Sequence, residues 1–437
     1  MKRTIDEELK KWRVDPRHKV LLVRGARQVG KTYSIRTLAQ SFENLLEVNF
    51  EEHEDVKTFF NGPLSPEGIL EKLTAYFGVQ VHQGKTLLFF DEVQACPNCL
   101  RSLRFFYEKM PGLYVAAAGS LLEFAITEIP SFGVGRISSL FMHPLSFSEF
   151  LQAIGMEQLA ALISGSSTKN PIDPVLHRKI LDHLRVYCAI GGMPVVVEHY
   201  RNSRDLRKCQ QTLDEIILGL RDDFSKYHKR ISPQRLNEVF ESAALQAGCK
   251  FKYATVNPDS THNELKKALE LLVRAGLVYR IFHTDARGVP LGAQVNPRRF
   301  KVLLFDIGIY QRLVHLDIPA YLVSGDAALI NKGPVAELFC GLEWVANSPT
   351  HRQPQLFYWH REARNSNAEV DYVIQQGNAV VPVEVKAGVR GAMQSMRLFL
   401  TERNLQRGIR VSHENYSSYG AIETVPLYAA GNMAETA

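Results

Sequence analysis

The residues with the plainest chemical potential lie near the N-terminus. Gly25-Ala26-Arg27-Gln28-Val29-Gly30-Lys31-Thr32 has the spacing G-x-x-x-x-G-K-[ST]. Gly25 and Gly30 allow backbone angles and close approach that a Cβ would block. The N–H groups of the loop, continuing into Tyr33 at the start of a helix, then point at phosphate oxygens. Lys31 can reach the β- and γ-phosphates, and Thr32 can offer its hydroxyl to Mg²⁺. ATP and Mg²⁺ are the expected ligands. The plainer reading is a chance glycine turn. The flanking elements disfavour it: Val20–Val23 reads as a buried strand and Thr32–Phe42 as a helix.

Two further groups could do chemistry. Thr86–Glu92 (TLLFFDE) reads as a central parallel strand whose polar end faces a ligand. There Asp91 would hold Mg²⁺ and Glu92 would act as general base toward water; the alternative is a strand that ends in solvated acids. Ser120, after the strand Leu113–Ala118, could contact a γ-phosphate or simply end a strand. Arg136, in Gly133-Val-Gly-Arg136, could reach a phosphate in its own or a neighbouring subunit, or be an ordinary surface arginine. Near the C-terminus, Glu369–Ile374 and Ala379–Lys386 are strand-like around a Gly377-Asn378 turn. In that register Asp371 faces Glu384 and Glu369 faces Lys386, all on one face. Opposed carboxylates repel, so water, a lysine or a divalent cation must offset them.

Elements must position these groups. The chain has 437 residues, 45% hydrophobic and 22% charged, with net charge +6. Two to four domains with real cores are expected, and any basic patch must be local. No apolar run is long enough to span a membrane, and MKRTIDEELKKW lacks a signal-peptide core, so a cytoplasmic, non-membrane protein is expected. Six cysteines are scattered; Cys96-Pro-Asn-Cys99 reads as two reduced thiols rather than a metal or redox pair.

Strands alternating with helices make residues 1–145 a parallel α/β domain. Ser146–Ile163 reads as one helix, Val175–Ile190 as a second ended by Gly191-Gly192, and Val195–Asp222 as one or two more, giving a helical lid over 146–228. Across 229–325, helix Pro233–Gln246, a helix opened by the capping box Thr261-x-x-Glu264, and strands Leu277–Phe282 and Phe300–Phe305 follow the order of a winged helix–turn–helix. His262, Asn263, Lys266 and Lys267 would face DNA, and Arg274 could touch phosphate; two lysines on a solvated face are the simpler account. Residues 330–437 form the last expected unit.

GARQVGKT, LLFFDE and GVGRISSLFMHPLSFSEF together resemble a large family of bacterial and archaeal AAA-type ATPases fused to a C-terminal domain of unknown function. Gly191-Gly192-Met193-Pro194, in AIGGMPVVVEHY, fits the same family and is similar to the glycine-proline motif of signal-transduction ATPases. The resemblance covers nearly the whole chain and implies a P-loop ATPase core with a helical lid. AAA-type relatives often form rings and signal-transduction relatives can be monomeric at rest, so a homo-oligomer is compatible with it. Asp371…Glu384-x-Lys386 resembles the core of the PD-(D/E)xK nuclease superfamily, except that Val370 stands where many members carry proline. That resemblance implies metal binding by Asp371 and Glu384, water activation or phosphate stabilisation by Lys386, and help with metal from Glu337. Trp359 and His360 could line a nucleic-acid groove or pack in a core.

The expected architecture is therefore α/β: a parallel P-loop sheet with a helical lid, then a winged helix and a small α/β nuclease-like domain. The expected function is ATP binding and hydrolysis on or with DNA, with ATP state controlling a Mg²⁺-dependent C-terminal nuclease site. A nucleotide-driven switch that binds DNA or a protein without cutting, and an assembly scaffold, are the alternatives.

Overall fold

Five parallel strands organise the N-terminal part: β1 (Val20–Arg24), β2 (Asn44–Asn49), β3 (Thr86–Asp91), β4 (Tyr114–Ala118) and β5 (Ile137–Phe141), in the order β2-β3-β4-β1-β5. This is a computed structural model that describes residues 1–120, 122, 126, 135–225, 231–316, 333–361, 368–386 and 393–434. Every residue of β3 and β4 is buried. Alternate residues of β1 enter opposite cores: Leu21 and Val23 one, Val20 and Leu22 the other. That is what a sheet covered on both faces requires. Helices α1 (Ile5–Val14), α2 (Lys31–Ala39), α3 (Pro66–Phe77) and α4 (Pro97–Lys109) provide the cover.

Five helices follow: α5 (Phe147–Ala153), α6 (Glu157–Ser164), α7 (Pro174–Ile190), α8 (Pro194–Ser203) and α9 (Leu206–Phe224). The single helix expected over Ser146–Ile163 is two. A capping box of Ser146 and Glu149 opens the first, and Gly155, at φ +82°, turns the chain before the second. The expected boundary at 228–229 lies outside the described residues.

The remainder is organised by one eight-stranded mixed sheet. Its strands are β6 (Val278–Thr284), β7 (Val295–Leu304), β8 (Leu356–His360), β9 (Glu369–Gln376), β10 (Ala379–Lys386), β11 (Gly408–Ser412), β12 (Ser417–Tyr419) and β13 (Ile422–Pro426). The order is β12-β13-β11-β10-β9-β8-β6-β7. Helices α10 (Pro233–Leu245), α11 (His262–Arg274), α12 (Ile307–Leu313), α13 (Gly333–Ala346) and α14 (Gln394–Arg403) pack around it. The Thr261–Glu264 capping box opens α11 as expected.

Helix, helix, hairpin is thus the observed order, but the hairpin is no free wing. β6 pairs antiparallel with β7 on one edge and parallel with β8 on the other. Mostly apolar β6 has backbone groups to satisfy on both edges, and β8 satisfies the second set. The sheet therefore runs across the boundary expected at 325–330, which itself lies outside the described residues.

Candidate functional site

The phosphate-type loop leaves the C-terminal end of β1 and enters α2. A Cβ on Gly25 would collide with the Met142 carbonyl, and Gly30 sits at φ +101° as the first residue outside α2. Gln28 also takes a positive φ, 63°. The loop is braced from outside. Arg3 donates to the Val29 carbonyl at 3.0 Å and the His143 carbonyl at 2.7 Å, and pairs with buried Glu149 at 3.1 Å. Arg27 is ion-paired with Asp223 at the end of α9.

Lys31 is only 7% exposed. Its Nζ donates to the carbonyls of Gly25 (3.1 Å) and Ala26 (2.7 Å). Burial lowers its pKa to about 8, with Glu92 and Asp91 pulling the other way. The Thr32 hydroxyl donates to Asp91 at 3.0 Å. Burial raises the Asp91 carboxyl, and the Thr32 bond opposes that. A hydroxyl and a carboxylate at this separation, beside a buried ammonium, are the donor set that Mg²⁺ with a nucleotide phosphate would take. Glu92 stands one residue past β3 at φ 47°. Its Oε2 accepts from Gln94 at 2.5 Å and from Ser120 at 3.4 Å. The structure thus gathers Lys31, Thr32, Asp91, Glu92 and Ser120. It adds Gln94, which sequence reasoning missed although it lies two residues beyond the acidic pair.

Arg136 is not gathered. β5 runs parallel to β1 with Ile137 beside Val20 and Phe141 beside Arg24. Arg136 therefore lies at the far end of the sheet, about 16 Å of strand from the loop, where it pairs with Glu108 of α4 at 3.0 Å. The contact with its own phosphate loop allowed by the sequence is thereby corrected. Gly133 and Val134 lie outside the described residues.

The Gly191-Gly192-Met193-Pro194 turn does come to the loop. A cavity of about 520 Å³ is lined by Gln28, Gly30 and Tyr33 on one side and Pro194, Glu198 and Arg201 on the other. The turn is held by Asp306, which accepts from Gly192 N–H at 2.7 Å and Ile309 N–H at 3.0 Å. A second cavity, of about 420 Å³, lies between Arg24, Gly25 and Ala26 and the Arg274–Gly276 turn at the end of α11. A Cβ at Gly276 would sit 3.4 Å from Ala26 N, so the two turns lie close together. Arg274 therefore faces the phosphate loop's neighbourhood, whereas His262, Asn263, Lys266 and Lys267 are exposed along α11.

The C-terminal hairpin has the expected turn, with Gln376 paired to Ala379. The regular pairing ends at Tyr372–Val383, and the Asp371 carboxylate accepts the Val385 N–H at 2.8 Å. Lys386 does not pair with Glu369. It lies 2.5 Å from Glu384, two residues away on the same strand face. Glu369 instead meets Lys301 of β7 at 2.5 Å and Lys250 at 3.8 Å. Lys301 also reaches Glu337 at 3.7 Å. Burial raises the Glu337 and Asp371 carboxyls, with each other's charge or the nearby lysines modulating the effect. Burial alone would lower Lys301, but Glu337, Glu369 and Asp371 more than offset it. Glu384 is 4% exposed, and its Oε2 has no hydrogen-bond partner. Among the described residues no three His, Cys, Asp or Glu side chains form a ready metal cage. Asp371 with the unpartnered Glu384 oxygen is the pair a divalent ion would fit.

Lys301 was the residue to find by sequence: a lone lysine inside FKVLLF, where a buried strand rarely tolerates an unpaired charge. Trp359 lines no groove; it is buried with its ring against Phe399 at 4.9 Å. Cys96 and Cys99 are buried free thiols. Among the described residues no helix is long and apolar enough to cross a membrane.

Comparison with known proteins places these features. Residues 17–151 match a family described as "AAA domain". Residues 181–320 and 332–429 match families described as "Domain of unknown function", DUF8612 and DUF4143 respectively. No curated protein matches the chain. Among solved structures, the Walker-type ATPase paby2304 of Pyrococcus abyssi aligns at 14% identity and TM-score 0.46, over 72% of this chain and 95% of that one. The Aeropyrum pernix ORC1 protein in complex with DNA aligns at 15% identity and TM-score 0.30, over 74% and 95%. The chain carries an AAA-type P-loop ATPase domain at its N-terminal end, followed by two domains of unknown function.

Proposed function

We propose that the ATPase domain is the control end of a DNA-associated protein, and that its nucleotide state governs a metal-dependent phosphodiesterase centre at Asp371, Glu384 and Lys386. Lys31 and the loop N–H groups would bind the phosphates, and Thr32 and Asp91 would hold Mg²⁺, which would supply positive charge to the phosphates. Glu92, oriented by Gln94 and Ser120, takes the proton of the attacking water. At the distal centre Asp371 and the free oxygen of Glu384 would hold a divalent ion, and Lys386 would face the scissile phosphate. The exposed His262, Asn263, Lys266 and Lys267 of α11 are the candidate DNA contacts.

The observation that carries this reading is the closeness of the two ends. The Arg274–Gly276 turn and Gly25–Ala26 of the phosphate loop line one cavity, and the strand that follows, β6, belongs to the same sheet as β9 and β10. A second reading is favoured by Lys301: a centre whose acids are already engaged by a lysine suits a switch that binds DNA without cutting it. Incubation with linear and circular DNA, Mg²⁺ or Mn²⁺, with and without ATP, decides between them. Metal-dependent cleavage that disappears in Asp371→Ala is the expected result. Intact DNA on all substrates beside normal ATP hydrolysis would leave the switch.

A further inference from the structure

The C-terminal acidic centre has one cation built into it. Lys301 is 2% exposed, and its ammonium lies against Glu369 (2.5 Å) and Glu337 (3.7 Å) with the Tyr358 ring at 5.2 Å. It arrives on β7, from the hairpin that precedes the acidic strands in the chain by some way. A buried ammonium without partners is strongly disfavoured, so these contacts are not incidental. They divide the carboxylates into two sets. Glu337 and Glu369 are turned to Lys301. Asp371 and Glu384 remain, with Asp371 Oδ2 taking the Val385 N–H, Glu384 Oε1 on Lys386, and Glu384 Oε2 buried without a partner.

Charge sets how many ions this centre can take. Glu337, Glu369, Asp371 and Glu384 face Lys250, Lys301 and Lys386. At most one net negative charge is left over. One divalent ion with an anionic phosphate beside it is compatible with that; two divalent ions are not, because the surplus positive charge would be buried and unpaired. We propose that Lys301 permanently fills a cation position in the centre, so that it takes a single divalent ion, seated between Asp371 and Glu384, and never a metal pair. This rests on the metal-site reading above and fixes its stoichiometry. It also accounts for the lack of a three-ligand cage among the described residues: the third and fourth carboxylates serve the lysine.

The test is a Mn²⁺ titration of the full chain without nucleotide, in an Asp91→Asn background so that the phosphate loop contributes no ion, with free Mn²⁺ read by electron paramagnetic resonance. One Mn²⁺ per chain is expected, lost in Glu384→Gln and kept in Lys301→Arg. Lys301→Gln, which frees Glu337 and Glu369 and removes one positive charge from the centre, is expected to bind two. Two ions in the Lys301-containing protein would overturn the inference while leaving the metal reading intact. One ion in a folded Lys301→Gln would equally overturn it. No ion in either protein would overturn the metal reading itself, and this inference with it. If Lys301→Gln does not fold, the count in the parent and in Lys301→Arg still decides.

Discussion

At the scale of single residues, Lys31 carries the sharpest consequence. A solvated lysine keeps its proton to about pH 10.5, whereas burial brings Lys31 down to about 8. Between those values the folded, nucleotide-free protein has lost a charge that the unfolded chain keeps. A bound phosphate favours the charged form, so binding above about pH 8 must draw in a proton. ATP affinity should be flat from about pH 7 to 8 and then weaken by up to about tenfold per pH unit. Fluorescent-nucleotide titrations across that range check it, and a level profile to about pH 9.5 would separate Lys31 from the phosphate. The loop was legible in the sequence because its parts lie within eight consecutive residues. Gln94 was not, because it belongs to no spacing pattern. Lys301 stands out as a lone lysine in an apolar run, but its partners Glu337 and Glu369 come from elements that only the fold brings to it. That Arg136 stands away from its own phosphate loop was not legible, because a parallel strand returns to the opposite end of the sheet before it runs forward again.

At the scale of elements, one carboxylate joins two of them. Asp306 caps α12 through Ile309 N–H and holds the Gly192 turn that leads into α8. Asp306→Ala removes the cap and strands a buried N–H. The expected cost is about 2–4 kcal/mol, read as a lowered urea midpoint, and Asp306→Asn, with one acceptor left, should lose roughly half as much. A change below about 0.5 kcal/mol would mean the turn is held by other contacts. The helix starts around this region could be read from the sequence: Thr261 and Glu264, Ser146 and Glu149. The division of Ser146–Ile163 into two helices hung on Gly155, whose lone presence in an apolar pattern does not reveal that φ is positive there. The pairing of Glu369 was equally hidden, since counting outward from the Gly377-Asn378 turn says nothing about a lysine on a third strand.

For the whole molecule, the ATPase core is tied to the far end of the chain. Glu343 of α13 accepts the Phe147 N–H at the start of α5 at 2.7 Å, and Phe141 N–H of β5 donates to the Thr350 carbonyl at 2.6 Å. Glu343 is buried, which raises its carboxyl from 4.5 to about 8. Because the folded protein then holds a proton that the unfolded chain releases, this group's contribution to stability falls as pH rises from about 4.5 to about 8 and is level above that. Glu343→Gln keeps an acceptor for Phe147 and removes the titration. It should melt at the same temperature as the parent near pH 4.5 and above it near pH 8, by calorimetry. A parent and variant that track each other across the whole range would show that Glu343 ionises normally. Strands β6 and β8 were each readable as apolar runs, but their parallel pairing across more than seventy residues of chain was not. Partner choice there depends on which edge remains open after the nearer pairs have formed.

That pairing has a consequence for anyone dividing the chain. A cut between β7 and β8 looks natural, since two families meet near residues 320–332. Yet it would strip β6 of its parallel neighbour and leave β8 bare on the matching side. Each fragment would then present an unpaired, largely apolar strand, the kind of edge that recruits a second copy in place of its lost partner. The two C-terminal domains are best handled, expressed and exchanged as one piece.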